Sequence, residues 1–439
     1  MLNLHLSAAK ARTYGLIALA STLTPLINSN ASDSWNQWRG PAQNGVAMGE
    51  SYPEKWNADS GIKWKSIVPG NGGSTPVVSG NLAFVTSGVD GKNQLIAYNL
   101  ENGSTAWSAE IGVDRGGKHK KGSGSNPSAV IDGENIYAYF RSGDLACVNM
   151  KGETVWHTNL QNEFGEDTLW WDLGSSPTLT KDTVIVVVMQ TGPSYLIAYD
   201  KNTGKQKWKT DRMVGAPEEA AQSYSTPVVI EQNGEEWIGV MGADHFTLHR
   251  ASDGKELGRL GGFNPEQNAY FRSISSPVAS GNLMICPYAR GATITAIHMQ
   301  ELASGKGEKA IRWFRDDLGS DVPTPASKDG KIYVVGDGRT SRGLISCLDA
   351  ETGTTIWEVQ LPKSRISFSS SPLIAGDHLY VTNEKGTTYV VGPLSADEPA
   401  LVSENMIDDE ADYTVASPIP ANETLLIRSK SNLYRISGN

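Results

Sequence analysis

Between Ser175 and Thr210 the apolar and polar positions fall into four short runs of strand character. Ser175-Ser176-Pro177-Thr178-Leu179 opens the first, and Thr183 to Met189 is a β-branched run. Tyr195-Leu196-Ile197-Ala198-Tyr199 forms the third, and Lys205 to Thr210, carrying Trp208, the fourth. Runs of this length, rich in β-branched and aromatic residues and bounded by turn residues, predict strands. Asp200-Lys201-Asn202-Thr203-Gly204 predicts the turn between the last two. Its Asp side chain accepts backbone N–H groups, and its Gly takes the left-handed position.

This unit recurs along the chain. A Pro stands at 76, 127, 177, 227, 277, 325, 372 and 418, preceded by Thr75, Asn126, Ser176, Thr226, Ser276, Thr324, Ser371 and Ser417. A period near fifty with four antiparallel strands per period predicts propeller blades. Proline cannot donate to a ladder, so it suits the start of the innermost strand, an edge facing the channel. Trp107, Trp156, Trp208, Trp313 and Trp357 recur on the outer strands, placed to bury against the neighbouring blade. The fourth repeat carries Leu257 there. The seventh, from Pro393 to Glu404, lacks both the turn and the Trp.

The last repeat, from Ser417, has room for only three strands. Gly61-Ile62-Lys63-Trp64-Lys65 has the pattern of the missing fourth. The expected fold is therefore all-β: an eight-bladed β-propeller of four-stranded antiparallel blades over 62–439. It closes by pairing residues 62–68 with the C-terminal blade, and closure removes an exposed sheet edge.

Composition narrows the setting. The 439 residues carry 38 basic and 48 acidic side chains, a formal charge of -10. No basic stripe is present, so no nucleic-acid partner is expected. Lys10 and Arg12, an apolar stretch from Gly15 to Ile27, and Ser29-Asn30-Ala31 predict an export signal over 1–31, followed by an N-terminal extension over 32–61. The apolar stretch is short and broken by Ser21, Thr22, Thr24 and Pro25, which suits a signal better than a membrane span. A degraded N-terminal anchor is the rival reading. The expected product is a periplasmic or secreted monomer with no integral membrane segment. Cys147 and Cys347 align with Ala97 and Ala198 on third strands, a slot for a small buried side chain. No haem or zinc spacing accompanies the three cysteines, and no metal site is expected.

The marks Ala198-Tyr199-Asp200…Thr203-Gly204…Trp208, Cys347-Leu348-Asp349…Thr352-Gly353…Trp357 and Ala97-Tyr98-Asn99…Gly103…Trp107 resemble the quinoprotein-type (PQQ-like) repeat family. The opening Trp35-Asn36-Gln37-Trp38-Arg39-Gly40-Pro41 resembles that of exported bacterial members. The resemblance implies one of two roles. Some members bind pyrroloquinoline quinone with calcium and oxidise alcohols or sugars. Others lack the cofactor and act as docking platforms, among them the outer-membrane assembly lipoprotein. This chain has no adjacent Cys pair of the kind the alcohol dehydrogenases hold against the quinone. Its first Cys is Cys147, so no lipid anchor at the cleavage site is expected.

Candidate chemistry falls on the long connections between blades, since long loops on a rigid ring carry binding residues. Trp170, Trp171, Asp172, Tyr224, Tyr270, Arg272, Asp321, Arg365 and Tyr413 are the expected funnel-face binding residues. Aromatic faces can stack a flat ring and an Arg can clamp a carboxylate. The competing reading is that Arg272 and Arg365 pair with Asp172 or Asp321 and stiffen the funnel. The run from Asp408 to Asp412 reads as a solvated acidic loop, its spacing fitting no EF-hand. The function expected is a binding or scaffold protein, without cofactor, that takes a protein or carbohydrate partner on its loop face. The alternative is a PQQ- and calcium-dependent oxidoreductase, for which no catalytic residue stands out.

Overall fold

The computed structural model describes residues 34–408 and 411–438; the expected export signal over 1–31 lies outside them. Eight four-stranded antiparallel sheets follow one another along the described chain. Blades 1 to 7 span residues 77–113, 130–159, 178–211, 228–260, 278–315, 326–360 and 373–406. Blade 8 takes three strands from 419–436 and its outer strand, Ile62–Ile67, from the other end of the chain. Trp64 pairs with Arg435 and Ile67 with Asn432. The Val68 N–H extends that pairing to the Ser431 carbonyl. The eight-bladed architecture and its closure are those expected from the repeat.

The recurring outer-strand Trp and the turn Gly prove to be two halves of one contact. Gly204, at φ +67°, lies flat on Trp156 of the preceding blade, where an added Cβ would stand 2.6 Å from the ring. The same indole donates Nε1–H to the Lys201 carbonyl of that turn at 2.7 Å. Trp208 meets Gly254 and the Ala251 carbonyl in the same way, and Trp313 meets Gly353 and the Ala350 carbonyl. The small third-strand slot is explained as well. Cys147, Cys347, Ala97 and Ala198 each sit directly across the ladder from the Trp of their own blade.

Blade 4 corrects the sequence alignment by one residue. Gly258, rather than Leu257, lies opposite Leu248 in the ladder position that Trp208 holds opposite Ala198. A Cβ at Gly258 would stand 2.6 Å from the Leu302 carbonyl. The short helix Met299–Ala303 of blade 5 occupies the space a Trp would fill. In blade 7, Ser403 holds the equivalent position, and its hydroxyl donates to the Glu54 carbonyl. Nearby Trp56, 3% exposed, joins the apolar cluster that contains Tyr380 and Val390 of blade 7 and Leu433 and Tyr434 of blade 8. The extension thus supplies the aromatic group that blade 7 lacks.

The extension also fills the channel. The Trp35 and Gly45 carbonyls accept from Val78 and Ile374, and the Asn44 carbonyl accepts from Ser327. Gln43 accepts from the Val229 N–H and donates to Thr178 and to the Pro227 carbonyl. Arg39 is buried and donates to the Pro372 carbonyl at 2.6 Å and the Pro325 carbonyl at 3.1 Å. Burial lowers its pKa to about 9, which leaves it charged near neutrality. With the Asn36 carbonyl accepting from the Ile131 N–H of blade 2, six inner strands are tied to one segment of about a dozen residues.

Above this plug the residues preceding each Pro form a belt. The Ser176 N–H donates to Thr226 Oγ1, and the pattern continues through Ser276, Thr324, Ser371 and Ser417 to Thr75. Asn126 interrupts it, its amide oxygen accepting instead from Ser123. A small hydroxyl recurs before the Pro because each blade must satisfy a buried N–H of its neighbour.

Candidate functional site

The belt rings the neck of a cavity of about 520 Å³ on the face that carries the connections between blades. Trp38 of the plug contributes to its lining, so the funnel has a floor. Volumes of this order suit a small ligand or a few residues of a partner.

Polar links stitch the wall from blade to blade. Asp172 accepts the backbone N–H groups of Lys118 at 2.7 Å and His119 at 3.0 Å, tying two connections together. The Trp171 N–H donates to the Tyr224 hydroxyl, and its indole Nε1–H to Glu219 Oε1 at 2.7 Å. The His119 ring stands edge-on to Trp171, 5.1 Å between centroids. Burial pushes the Tyr224 hydroxyl above its ordinary pKa, so it acts as a neutral donor to Gln222. Arg272 grips both Asp321 oxygens at 3.1–3.2 Å and lies 3.7 Å from Glu219. The Asp321 and Val322 N–H groups in turn donate to Asp337. Across the mouth, Lys121 pairs with Glu384 at 2.8 Å, and Ser369 donates to the same carboxylate.

Of the residues expected from the sequence, Trp171, Asp172, Tyr224, Arg272 and Asp321 come together on the cavity wall. Trp170 and Tyr270 are exposed on the connections outside the lining. Arg365 is exposed, and its carbonyl accepts from Arg342. Tyr413 lines a smaller neighbouring pocket, with Lys121 Nζ 5.8 Å from its ring centroid. Arg272 does pair with Asp321, whereas Asp172 is held by backbone N–H groups.

Arg290, Asp337 and Glu384 also line the cavity and were not anticipated. They sit on turns between second and third strands, which share this face with the connections; that shared face was the available signal. Desolvation raises the Asp337 pKa to about 6, the Asp321 charge adding to it and the two N–H bonds opposing it.

The donor set does not fit a calcium–quinone centre. Asp172 and Asp337 are held by backbone N–H groups, Asp321 by Arg272, and Glu384 by Lys121 and Ser369. Among the described residues no three His, Cys, Asp or Glu side chains are grouped to hold a metal ion. Cys147, Cys286 and Cys347 are buried and unpaired, away from the cavity lining. The acidic loop near Asp408 lies apart from the cavity lining, and Asp409 and Glu410 are outside the described residues.

No curated protein matches the sequence significantly. The fold is shared with solved structures at low identity. A europium-containing methanol dehydrogenase superposes with a TM-score of 0.69 at 11% identity, over 92% of this chain and 98% of its own. A quinohemoprotein alcohol dehydrogenase from Comamonas testosteroni gives 0.67 at 12%, over 93% and 81%. BamB from Moraxella catarrhalis gives 0.59 at 14%, over 85% and 99%. These likenesses establish the fold alone. A sequence-family profile described as outer membrane protein assembly factor BamB matches residues 54–235, 152–301 and 300–398, together well over half of the 439 residues. The chain therefore belongs to this PQQ-like propeller family, that of the outer membrane protein assembly factor BamB.

Proposed function

We propose that this chain is an exported binding protein that takes a polar group of a protein or carbohydrate partner into the funnel. One observation carries the reading: the wall is built to hold its shape. Each acid in it is already engaged by a backbone N–H or a cation. Trp171, anchored through its indole N–H to Glu219, keeps 42% of its surface exposed. A fixed aromatic face loses little conformational entropy when a partner stacks on it. Export rests on the N-terminal segment and on family likeness. Among the described residues no helix is long and apolar enough to cross a membrane.

Tryptophan fluorescence during titration with neutral oligosaccharides and short peptides tests the reading. A saturable change that disappears in Trp171→Ala supports it. Spectral uptake of pyrroloquinoline quinone with calcium, followed by dye reduction with an alcohol, would replace it with the oxidoreductase reading.

A further inference from the structure

The chemistry the funnel selects for can be read from its unspent donors and its unpaired cation. Thr75, Ser176, Thr226, Ser276, Ser371 and Ser417 line the cavity and are each at least nine-tenths buried. Each hydroxyl oxygen accepts a backbone N–H from an adjacent blade. None donates its own proton to an acceptor among the described residues. A hydroxyl has one proton to give, and with a lone pair already engaged it serves its surroundings mainly as a donor. The belt is thus a ring of O–H donors around one neck.

The lining cations differ in how they are used. Lys121 is paired with Glu384, and Arg272 with Asp321. Arg290 has no hydrogen bond or ion pair among the described residues. Its backbone is also held in an unfavourable place. Ala289, Arg290 and Gly291 follow one another at φ +52°, +55° and +79°. Two consecutive non-glycine residues in the left-handed region cost about 1–2 kcal/mol each. A left-handed pair also closes the turns at Ala243-Asp244 and Asn422-Glu423, as tight hairpins require. At this turn it places Arg290 on the cavity wall with no partner among the described residues.

We infer that the funnel recognises an oxyanion, a carboxylate or phosphate group of its ligand, with Arg290 as counter-charge and the belt hydroxyls as neutral donors. The inference rests on the funnel-binding reading above and narrows it to acceptor-rich ligands. Charge-assisted bonds to a guanidinium are roughly twice as strong as neutral ones, so Arg290 carries the larger share. Distant charge is screened beyond about 8 Å at physiological salt. On the cavity wall Arg272 and Lys121 offset Asp321 and Glu384, while the Asp172 and Asp337 carboxylates, held by backbone N–H groups, oppose an anion that Arg290 attracts.

Calorimetry and thermal melting of the mature chain with inorganic phosphate, succinate and a neutral methyl glycoside provide the test. Phosphate and succinate are the two arms that separate the possible oxyanions. At least one is expected to bind and raise Tm, and the glycoside is expected to do neither. Arg290→Gly is expected to melt higher than the parent without ligand, because its strain is relieved, yet to bind the anion about tenfold or more weakly. Arg290→Asn, which tolerates the left-handed backbone, should show the same loss of binding. Unchanged anion affinity in both variants, or no response to either anion in the parent, overturns the inference. A neutral ligand that binds in a Trp171-dependent manner while the anions do not would overturn the oxyanion assignment and leave the funnel reading standing. No binding of any of these probes, peptides and oligosaccharides included, would remove both.

Discussion

The Ser417 backbone N–H donates to Thr75 Oγ1 at 3.0 Å, although 342 positions separate the two residues. This bond carries the belt across the seam where blade 8 meets blade 1, beside the strand pairing of Ile62–Ile67. Thr75→Val keeps the shape and removes the acceptor, leaving a buried N–H unpaired at a cost of about 1–3 kcal/mol. Thr75→Ser should restore nearly all of it. Urea unfolding of the three proteins checks the expectation, with equal midpoints for Val and Ser counting against the belt.

The turn glycines separate backbone strain from steric conflict. Gly234 sits at φ +81° with nothing within 4 Å of an added Cβ. Gly234→Ala should therefore cost only the left-handed penalty, about 1–2 kcal/mol. Gly204→Ala adds a clash with the Trp156 ring and should cost about 2–4 kcal/mol. Comparable losses in the two variants would show that the Trp contact contributes little.

The channel plug depends on Arg39, whose guanidinium serves the carbonyls of Pro325 and Pro372. Arg39→Ala orphans both acceptors, and the expected loss is about 2–4 kcal/mol. Amide exchange should quicken at Val78, Ser327 and Ile374, whose N–H groups donate to plug carbonyls. Unaltered protection at those amides would mean that the segment is held without Arg39.

Asp337 sets a pH dependence of stability. Its folded pKa is about 6 against an ordinary 3.8, because burial disfavours the charged form and the Asp321 charge adds to the effect, while Arg272 engages Asp321. Between about pH 4 and 6 the folded state binds more protons than the unfolded one, so stability falls as pH rises through that window. The full effect is at most about 3 kcal/mol. Parent stability relative to Asp337→Asn should fall from pH 4 to pH 7 in denaturant titrations. A constant difference would place the titration elsewhere.

Much of the fold was legible because its determinants repeat. Pro76 through Pro418 mark the inner edges, and Trp64 marks the strand missing from the end of the chain. The slip at Leu257 was not forced by the sequence: Gly254 to Gly258 keeps the four-residue spacing of Gly204 to Trp208, and both blades carry the same ladder bulge. What spacing does not show is why a Gly stands there, which the packing of the blade 5 helix explains. At the site, Trp171, Asp172, Tyr224, Arg272 and Asp321 were found because they sit just before inner strands. Arg290, Asp337 and Glu384 were missed because their turns look like ordinary hairpins.

By itself the sequence determined the blade, its number and its closure, since strand periodicity, turn chemistry and proline's missing donor act locally and recur. Only the tertiary structure decided what the extension does, which acids are engaged and which lining cation has no partner among the described residues. Trp35 to Ala47 carry no strand pattern, yet they fill the channel because its inner edges present unpaired backbone groups that need partners. Arg272 and Arg290 look alike in a sequence. Closing the ring brings Asp321 to one of them and leaves the other facing the cavity.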